Sequence, residues 1–378
     1  MKIVSRVEAR GRGFWKFNVS LLQDIDYVNK VKQCIQDINA NCSYMDPDMC
    51  WDFLKCQIRT VTIEYSAKVS RNRKKQENEL VEQINKLETL YSVNPTEELS
   101  EEIRQCNFDL DTLYKIKTQG SIIRSRANCI EYGERNSKYF INLEKRNMKR
   151  KVITKLISDN GDVITDSKEI LNEEKTFYQK LDSSCEPDQC NLNDLLGDCD
   201  VPMLDDVTQS ECEGLITASE CSNVLKSMSN NKTPGIDGLP TEFYKFFFKD
   251  IINNVLDCFN YSFRVGKLSS DQRRGIINLI PKPDKDPSFL KNWRPISLLN
   301  TDYKILTKCI ATRMKKVLPG IIHSDQTGFL PGRYIGENIR LALDMIHYLD
   351  KKNNPGLMFL IDFQKAFDKI EWSTLVLI

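Results

Sequence analysis

Histidine is almost missing from this 378-residue sequence; His323 and His347 are the only two. A histidine-based zinc site or nucleophile relay is therefore excluded as a reading. Cysteine is plentiful, 13 in all, yet no two form a CxxC pair, and the nearest neighbours, Cys185 and Cys190, have no histidine close by. An odd count, no secretion signal and no metal-ligand spacing point to reduced thiols inside a cell. No apolar run approaches ~18 residues, so no membrane-spanning helix is expected. Net charge is nearly absent too, at +1.

That small net charge hides a sorting of signs along the chain. Residues 112–155 hold 12 Lys/Arg against 3 Asp/Glu, whereas 182–220 hold 11 Asp/Glu and no cation. Positive charge at the first density is costly unless a polyanion absorbs it, so phosphate contact is the expectation there, with Arg146, Lys149, Arg150 and Lys151 as candidates. A solvated basic helix is the alternative. The acidic stretch reads as a linker that would repel nucleic acid.

Six segments follow from the pattern. In residues 1–22, Phe14, Trp15 and Phe17 stand among Arg10, Arg12 and Lys16, which fits either a basic aromatic patch or one strand of a core lying elsewhere. Residues 23–65 read as a helical connector. Residues 66–119 read as a protruding antiparallel helical hairpin, with Leu80, Ile84, Leu87 and Tyr91 on one arm and Leu99, Ile103, Cys106, Leu110 and Leu113 on the other. Pro95 ends the first arm and Thr96 caps the second, with Glu97 and Glu98 in its first turn. Residues 120–181 form the basic segment, including a β-hairpin turning at Asn160-Gly161. Residues 182–217 are the acidic linker, and 218–378 read as a mixed α/β region.

In that last region, Gly235 and Gly238 mark a tight turn, and Pro240 suits a helix's first position. IINLIP (276–281) and WRPISLLN (293–300) are strands joined by a polar loop. Lys282 closes one strand and Arg294 opens the next, so both cations fall at the same end, as a triphosphate clamp requires. Residues 302–322 are an amphipathic helix, and 324–339 a glycine-punctuated loop entering another helix with Ile339, Ala342, Ile346 and Leu349 on one side. In LMFLIDFQKAFDKIEW (357–372), Met358–Ile361 reads as a buried strand delivering Asp362 at its carboxyl end, followed by a helix. A carboxylate at a strand tip is how polymerases hold one ligand of a catalytic metal pair.

Four blocks, NNKTPGIDGLPTEFYK, INLIPKPDKDPSFLKNWRPISLLNTDYKIL, DQTGFLPGR and FLIDFQKAFDKIEW, occur in an order and at spacings that resemble the reverse transcriptase of non-LTR (LINE-type) retrotransposons. More weakly, RGRGFWKFNVSLL resembles the last strand of the endonuclease preceding it in such polyproteins, and the hairpin and basic segment resemble the region joining the two. The resemblance implies an α+β fold: a helical hairpin followed by the fingers and an incomplete palm of a right-hand polymerase.

By residue, the resemblance implies Asp362 as the first metal-binding aspartate, with the Phe363 carbonyl beside it. It implies Phe367 as the gate against a ribose 2′-hydroxyl, Lys282 and Arg294 as triphosphate ligands, and Gln326, Gly328 and Arg333 at the template. Asp368 is expected to be structural, since six residues past Asp362 it falls on the following helix. Two Mg²⁺ ions, an RNA template, a DNA primer and deoxynucleoside triphosphates are the implied cofactor and partners, with no membrane. The paired-aspartate motif would lie beyond Ile378, so the site is expected to be incomplete in this chain. A non-catalytic RNA/DNA-binding role is the alternative.

Overall fold

The computed structural model describes residues 14–42, 44–125, 153–158, 160–183, 202–353 and 355–362, with backbone alone for 116–125 and 182. The chain divides into two compact units, Met1–Thr154 with Ile277–Ser297, and Lys155–Ile276 with Leu298–Ile378.

In the first unit, residues 14–18 are irregular and Val19–Gln23 is a 3-10 turn, not the expected strand. Asn18 decides this locally: its side chain accepts from the Ser20 amide at 3.2 Å and competes with extended pairing. Phe17 is buried against Tyr27, with ring centroids 6.0 Å apart. Asp24 then caps α1 (Ile25–Asn41) through the Asp26 and Tyr27 amides. Tyr27, Val31, Ile35 and Ile38, spaced by four, four and three, form its buried face. The partner face is Trp51, Leu54, Ile58 and Thr62 of α2 (Pro47–Val93), with Thr62 hydrogen-bonded to the Tyr27 hydroxyl at 2.7 Å.

One helix crosses the boundary expected between a connector at 23–65 and a hairpin from 66. Helix α2 runs unbroken for 47 residues, about 70 Å, because nothing after Pro47 interrupts it; no other proline and no glycine lies in it. Asn94–Thr96 ends it, and α3 (Glu97–Ser125) returns with Thr96 Oγ1 accepting from the Leu99 amide at 3.4 Å. Ile84, Leu87 and Cys106 are the buried centre between the arms, with Leu99, Ile103 and Leu110 packed against them. The stripe is narrow, as an i, i+3, i+4 pattern on a two-helix contact must be.

The second unit opens on a short hairpin, β1 (Leu156–Ile157) and β2 (Val163–Ile164), with Leu156 opposite Ile164. Gly161 takes φ +89°, a turn conformation that glycine adopts without strain. Helix α4 (Ser167–Asp182) follows, capped by Asp166. Within the acidic stretch, expected to have little regular structure, Asp206–Cys212 is helical (α5); the Asp205 carboxylate accepts from the Thr208 amide at 2.7 Å, and Asp206 favours the first turn.

The core of this unit comes from α6 (Ala218–Ser227), α7 (Thr241–Phe246), α8 (Phe248–Val265) and α9 (Thr301–Ile321). Val224, Leu225, Phe243, Tyr244, Phe247, Ile251, Val255, Phe259, Ile305 and Leu306 are its buried side chains. Pro240 is the capping residue of α7 and not its first helical position. Strands β3 (Gly275–Pro281) and β4 (Trp293–Leu299), which with their loop fall mostly in the first unit as Ile277–Ser297, pair with each other. Helix α10 (Gly336–Lys351) has no buried residue, so its apolar side stands open. Met358–Ile361, expected as a buried strand, lies outside any strand or helix, and its side chains are exposed. A strand exists only with a hydrogen-bonded neighbour, and the two described sheets are β1–β2 and β3–β4 alone.

Candidate functional site

Two of the sequence blocks and the segment between them meet at one buried side chain, Asn300, which is 0% exposed. Its Oδ1 accepts from the Asp237 amide at 3.3 Å, and its Nδ2 donates to the Asp271 carbonyl at 3.0 Å and carboxylate at 3.2 Å. Next to it, Thr301 Oγ1 donates to the Leu239 carbonyl at 2.7 Å, and buried Asp302 receives Gln272 Nε2 at 3.4 Å. Gly235 lies so close that a β-carbon would overlap the Asn300 side chain and stand 2.6 Å from the Leu299 carbonyl carbon. The turn at 235–239 is thus tied to the junction of β4 and α9 by a buried polar network.

Electrostatics follow from that burial. The Tyr244 hydroxyl is pushed well above its ordinary pKa, first by burial and then by the Asp302, Asp237 and Asp271 carboxylates. Half-buried Lys304 is pushed down by the same loss of solvent, with Asp237 opposing.

Lys282 and Arg294 lie at the loop end of β3–β4, one residue past the first strand and one into the second. The Lys282 amide donates to the Asn292 carbonyl at 2.8 Å, and its ammonium reaches the Lys291 carbonyl at 3.0 Å. Arg294 is exposed.

The loop after α9 is held by Arg333. Its Nη1 donates to the His323 carbonyl and, at 2.8 Å, to that of Gln326, while Nη2 takes the Pro319 and Ile322 carbonyls at 2.9 and 2.7 Å. A guanidinium here satisfies carbonyls left open where a helix ends and suits the negative end of its dipole. Gln326 is exposed and its Nε2 donates to the Gly328 carbonyl at 3.2 Å, which closes the loop on itself. Phe329 follows at φ +65° with its ring fully exposed.

Asp362 is the last described residue, exposed and outside any strand or helix. Phe363, Phe367, Arg146, Lys149, Arg150 and Lys151 lie outside the described residues. The structure brings Gln326, Gly328 and Arg333 together in one loop, and puts Lys282 and Arg294 at one end of one hairpin. Asn300, Asp302 and Arg313 were missed by the sequence reading. Their only signal was polar residues set directly after an apolar strand and within an otherwise apolar helix face.

Comparison with known proteins gives these positions a context. The family model for reverse transcriptase (RNA-dependent DNA polymerase) matches residues 280–376. A 149 kDa protein of transposon TX1 from Xenopus laevis is 33% identical over 368 residues, 96% of this chain and 28% of that protein. The probable RNA-directed DNA polymerase of transposon X-element from Drosophila melanogaster is 30% identical over 154 residues, 40% of this chain and 17% of the relative. The RNA-directed DNA polymerase of mobile element jockey from Drosophila funebris is 27% identical over 158 residues, 41% of this chain and 17% of the relative. The chain therefore spans under a third of the length of each of these. Among the described residues, no helix is long and apolar enough to cross a membrane.

Proposed function

We propose that this chain is a segment of a non-LTR retrotransposon reverse transcriptase, and that residues 218–378 supply the fingers and part of the palm that hold nucleotide and template during RNA-directed DNA synthesis. The observation that carries this reading is the family match over 280–376, a span that includes Lys282, Arg294, Gln326, Gly328, Arg333 and Asp362. Lys282 and Arg294, on one end of β3–β4, would neutralise the triphosphate of an incoming deoxynucleotide. Gln326 and Gly328 would face the template, and Arg333, occupied by four carbonyls, would set the shape of their loop. Phe367 would close the nucleotide site against a ribose 2′-hydroxyl. Arg146, Lys149, Arg150 and Lys151 would take phosphates of the RNA or of the DNA primer.

Enzymes of this family work with divalent metal, Mg²⁺ by this reading, which when bound activates the attacking hydroxyl and steadies the leaving pyrophosphate. Among the described residues no group of three or more histidine, cysteine or carboxylate side chains could hold an ion. Asp362 and the Phe363 carbonyl would be its ligands from this chain, and one carboxylate does not make a metal site.

The test is deoxynucleotide binding and incorporation by the purified chain on an RNA template with a DNA primer. Lys282→Ala and Arg294→Ala should each weaken nucleotide binding about tenfold, as expected when one charge-assisted hydrogen bond is removed. Incorporation that disappears with Asp362→Ala puts the chemistry in this chain. Primer–template binding without nucleotide binding would overturn the assignment and leave a nucleic-acid-binding role.

A further inference from the structure

Away from the polymerase region, the sign of the charge on α2 changes abruptly. Lys68, Arg71, Arg73, Lys74 and Lys75 fall within eight residues, and no carboxylate occurs between Glu64 and Glu77. Beyond that point the two arms, residues 77–111, carry ten carboxylates against Lys86 and Arg104. All five cations of the basic run are exposed. Lys68, Arg71 and Lys75 are three and four residues apart, so they share a helix face, where like charges repel. Lys75 pairs with Glu79 at 3.6 Å between two well-exposed side chains, too loose to neutralise the run.

A second observation points to a ligand. The run borders a cavity of about 600 Å³ walled by Arg73 and Lys74, by Ser20, Ser66 and Ser70, by Asn18 and Asn78, and by Tyr114 from α3, with one carboxylate, Glu77, and the apolar Leu21, Val69 and Leu113 completing it. Two cations against one carboxylate, with small hydroxyl and amide donors and one aromatic edge, leave this recess net positive and match what a phosphodiester backbone offers: anionic oxygens with sugars and bases alongside. The length fits as well. Lys68 to Lys75 spans about 10 Å of helix, about three phosphates at ~3.4 Å of axis each.

We propose that the basic run Lys68–Lys75 of α2, with the cavity beside it, is a binding surface for the phosphodiester backbone of nucleic acid. Recognition is through phosphates and indifferent to sequence. The carboxylate-rich remainder of the arms confines a strand to this level by repelling it further out. The inference does not rest on the polymerase reading, because none of these residues lies in 218–378.

The experiment uses the full chain with a labelled 30-base-pair DNA duplex and a 30-nucleotide RNA, titrated across salt. The variant Arg71→Gln/Arg73→Gln/Lys74→Gln/Lys75→Gln should bind both about tenfold more weakly at 0.1 M salt. The slope of log affinity against log salt should be shallower by about 3, nearly one unit for each phosphate no longer neutralised. Lys86→Gln/Arg104→Gln, which removes the two cations of the acidic part, should change neither, and circular dichroism should show the helices intact in both. An unchanged slope in the four-site variant overturns the proposal. So does a loss confined to one of the two nucleic acids, which would mean base or sugar reading. So does a variant that alters only self-association, which would assign the run to the acidic arms of a second copy.

Discussion

Arg313 and Glu220, 93 residues apart, form a two-pronged pair, with Nε to Oε1 at 2.6 Å and Nη2 to Oε2 at 2.9 Å. The same arginine donates to the Gly214 and Leu215 carbonyls at 2.8 and 2.9 Å. The same glutamate completes a capping box with Thr217 at the start of α6. One ion pair thus ties α9 to the amino end of α6 and to the segment before it. Cys221 and Cys309, buried beside the pair, contribute apolar volume beneath it.

Arg313 holds the Glu220 carboxyl at about 2, below its usual 4.5, by hydrogen bonding and charge. The folded value is depressed, so the stabilisation is complete above about pH 4.5 and disappears as pH falls toward 2. Arg313→Met should cost about 2–3 kcal/mol, less than a fully buried pair because Glu220 is 28% exposed. Urea unfolding at pH 7 measures the loss. Glu220→Gln should flatten the acid side of the stability curve, and an unaltered curve would refute the linkage.

Gly235 should tolerate no side chain. Gly235→Ala would place a β-carbon against Asn300 and the Leu299 backbone, neither of which can swing away. A loss of about 3 kcal/mol or more is expected, an overpacking clash at a backbone wall. Gly214, with nothing within 4 Å of its β-carbon position but φ +91°, should lose only about 1 kcal/mol as alanine. Thermal unfolding of the two variants side by side separates close approach from backbone strain.

Local chemistry was legible in the sequence, and distant partnership was not. Thr96, Asn160-Gly161 and the Ile84–Leu87 stripe act on neighbours a few residues away, so their roles could be read directly. Asn300 could not be read so, because its partners Asp237 and Asp271 lie 63 and 29 residues off, and an asparagine looks the same in sequence buried or exposed. The bonds of Arg333 were equally illegible, since the Pro319 and Ile322 carbonyls that it meets are exposed only because α9 ends there. Four apolar residues at 358–361 suggest a strand, yet a strand depends on a neighbour that no run of residues can supply alone.

Asp24 is a local joint with a long reach. One carboxylate oxygen caps α1, and the other accepts the Tyr65 hydroxyl of α2 at 2.7 Å, which raises that phenol to about 12. Asp24→Ala should destabilise the first unit by about 1–2 kcal/mol, the range of a missing cap with one further bond. Tyr65→Phe should cost less, since the cap survives. Equal losses for the two would mean that the cap contributes nothing.

Met358–Ile361 offers the sharpest contrast between apolar sequence and exposed structure. Phe359 is 78% exposed and Leu360 90%, in backbone that joins no sheet. Hydrogen exchange of these amides should be as fast as in an unfolded chain, since no ladder bond protects them. Leu360→Lys should therefore change stability by less than about 0.5 kcal/mol, as a surface substitution does, whereas a covered strand would lose several times that. Exposed apolar side chains on backbone that joins no sheet also favour association between chains. Sedimentation should show association that rises with protein concentration and falls in Phe359→Lys/Leu360→Lys. Slow exchange at 358–361 in a strictly monomeric sample would refute this, because it would require another segment of the chain to cover them.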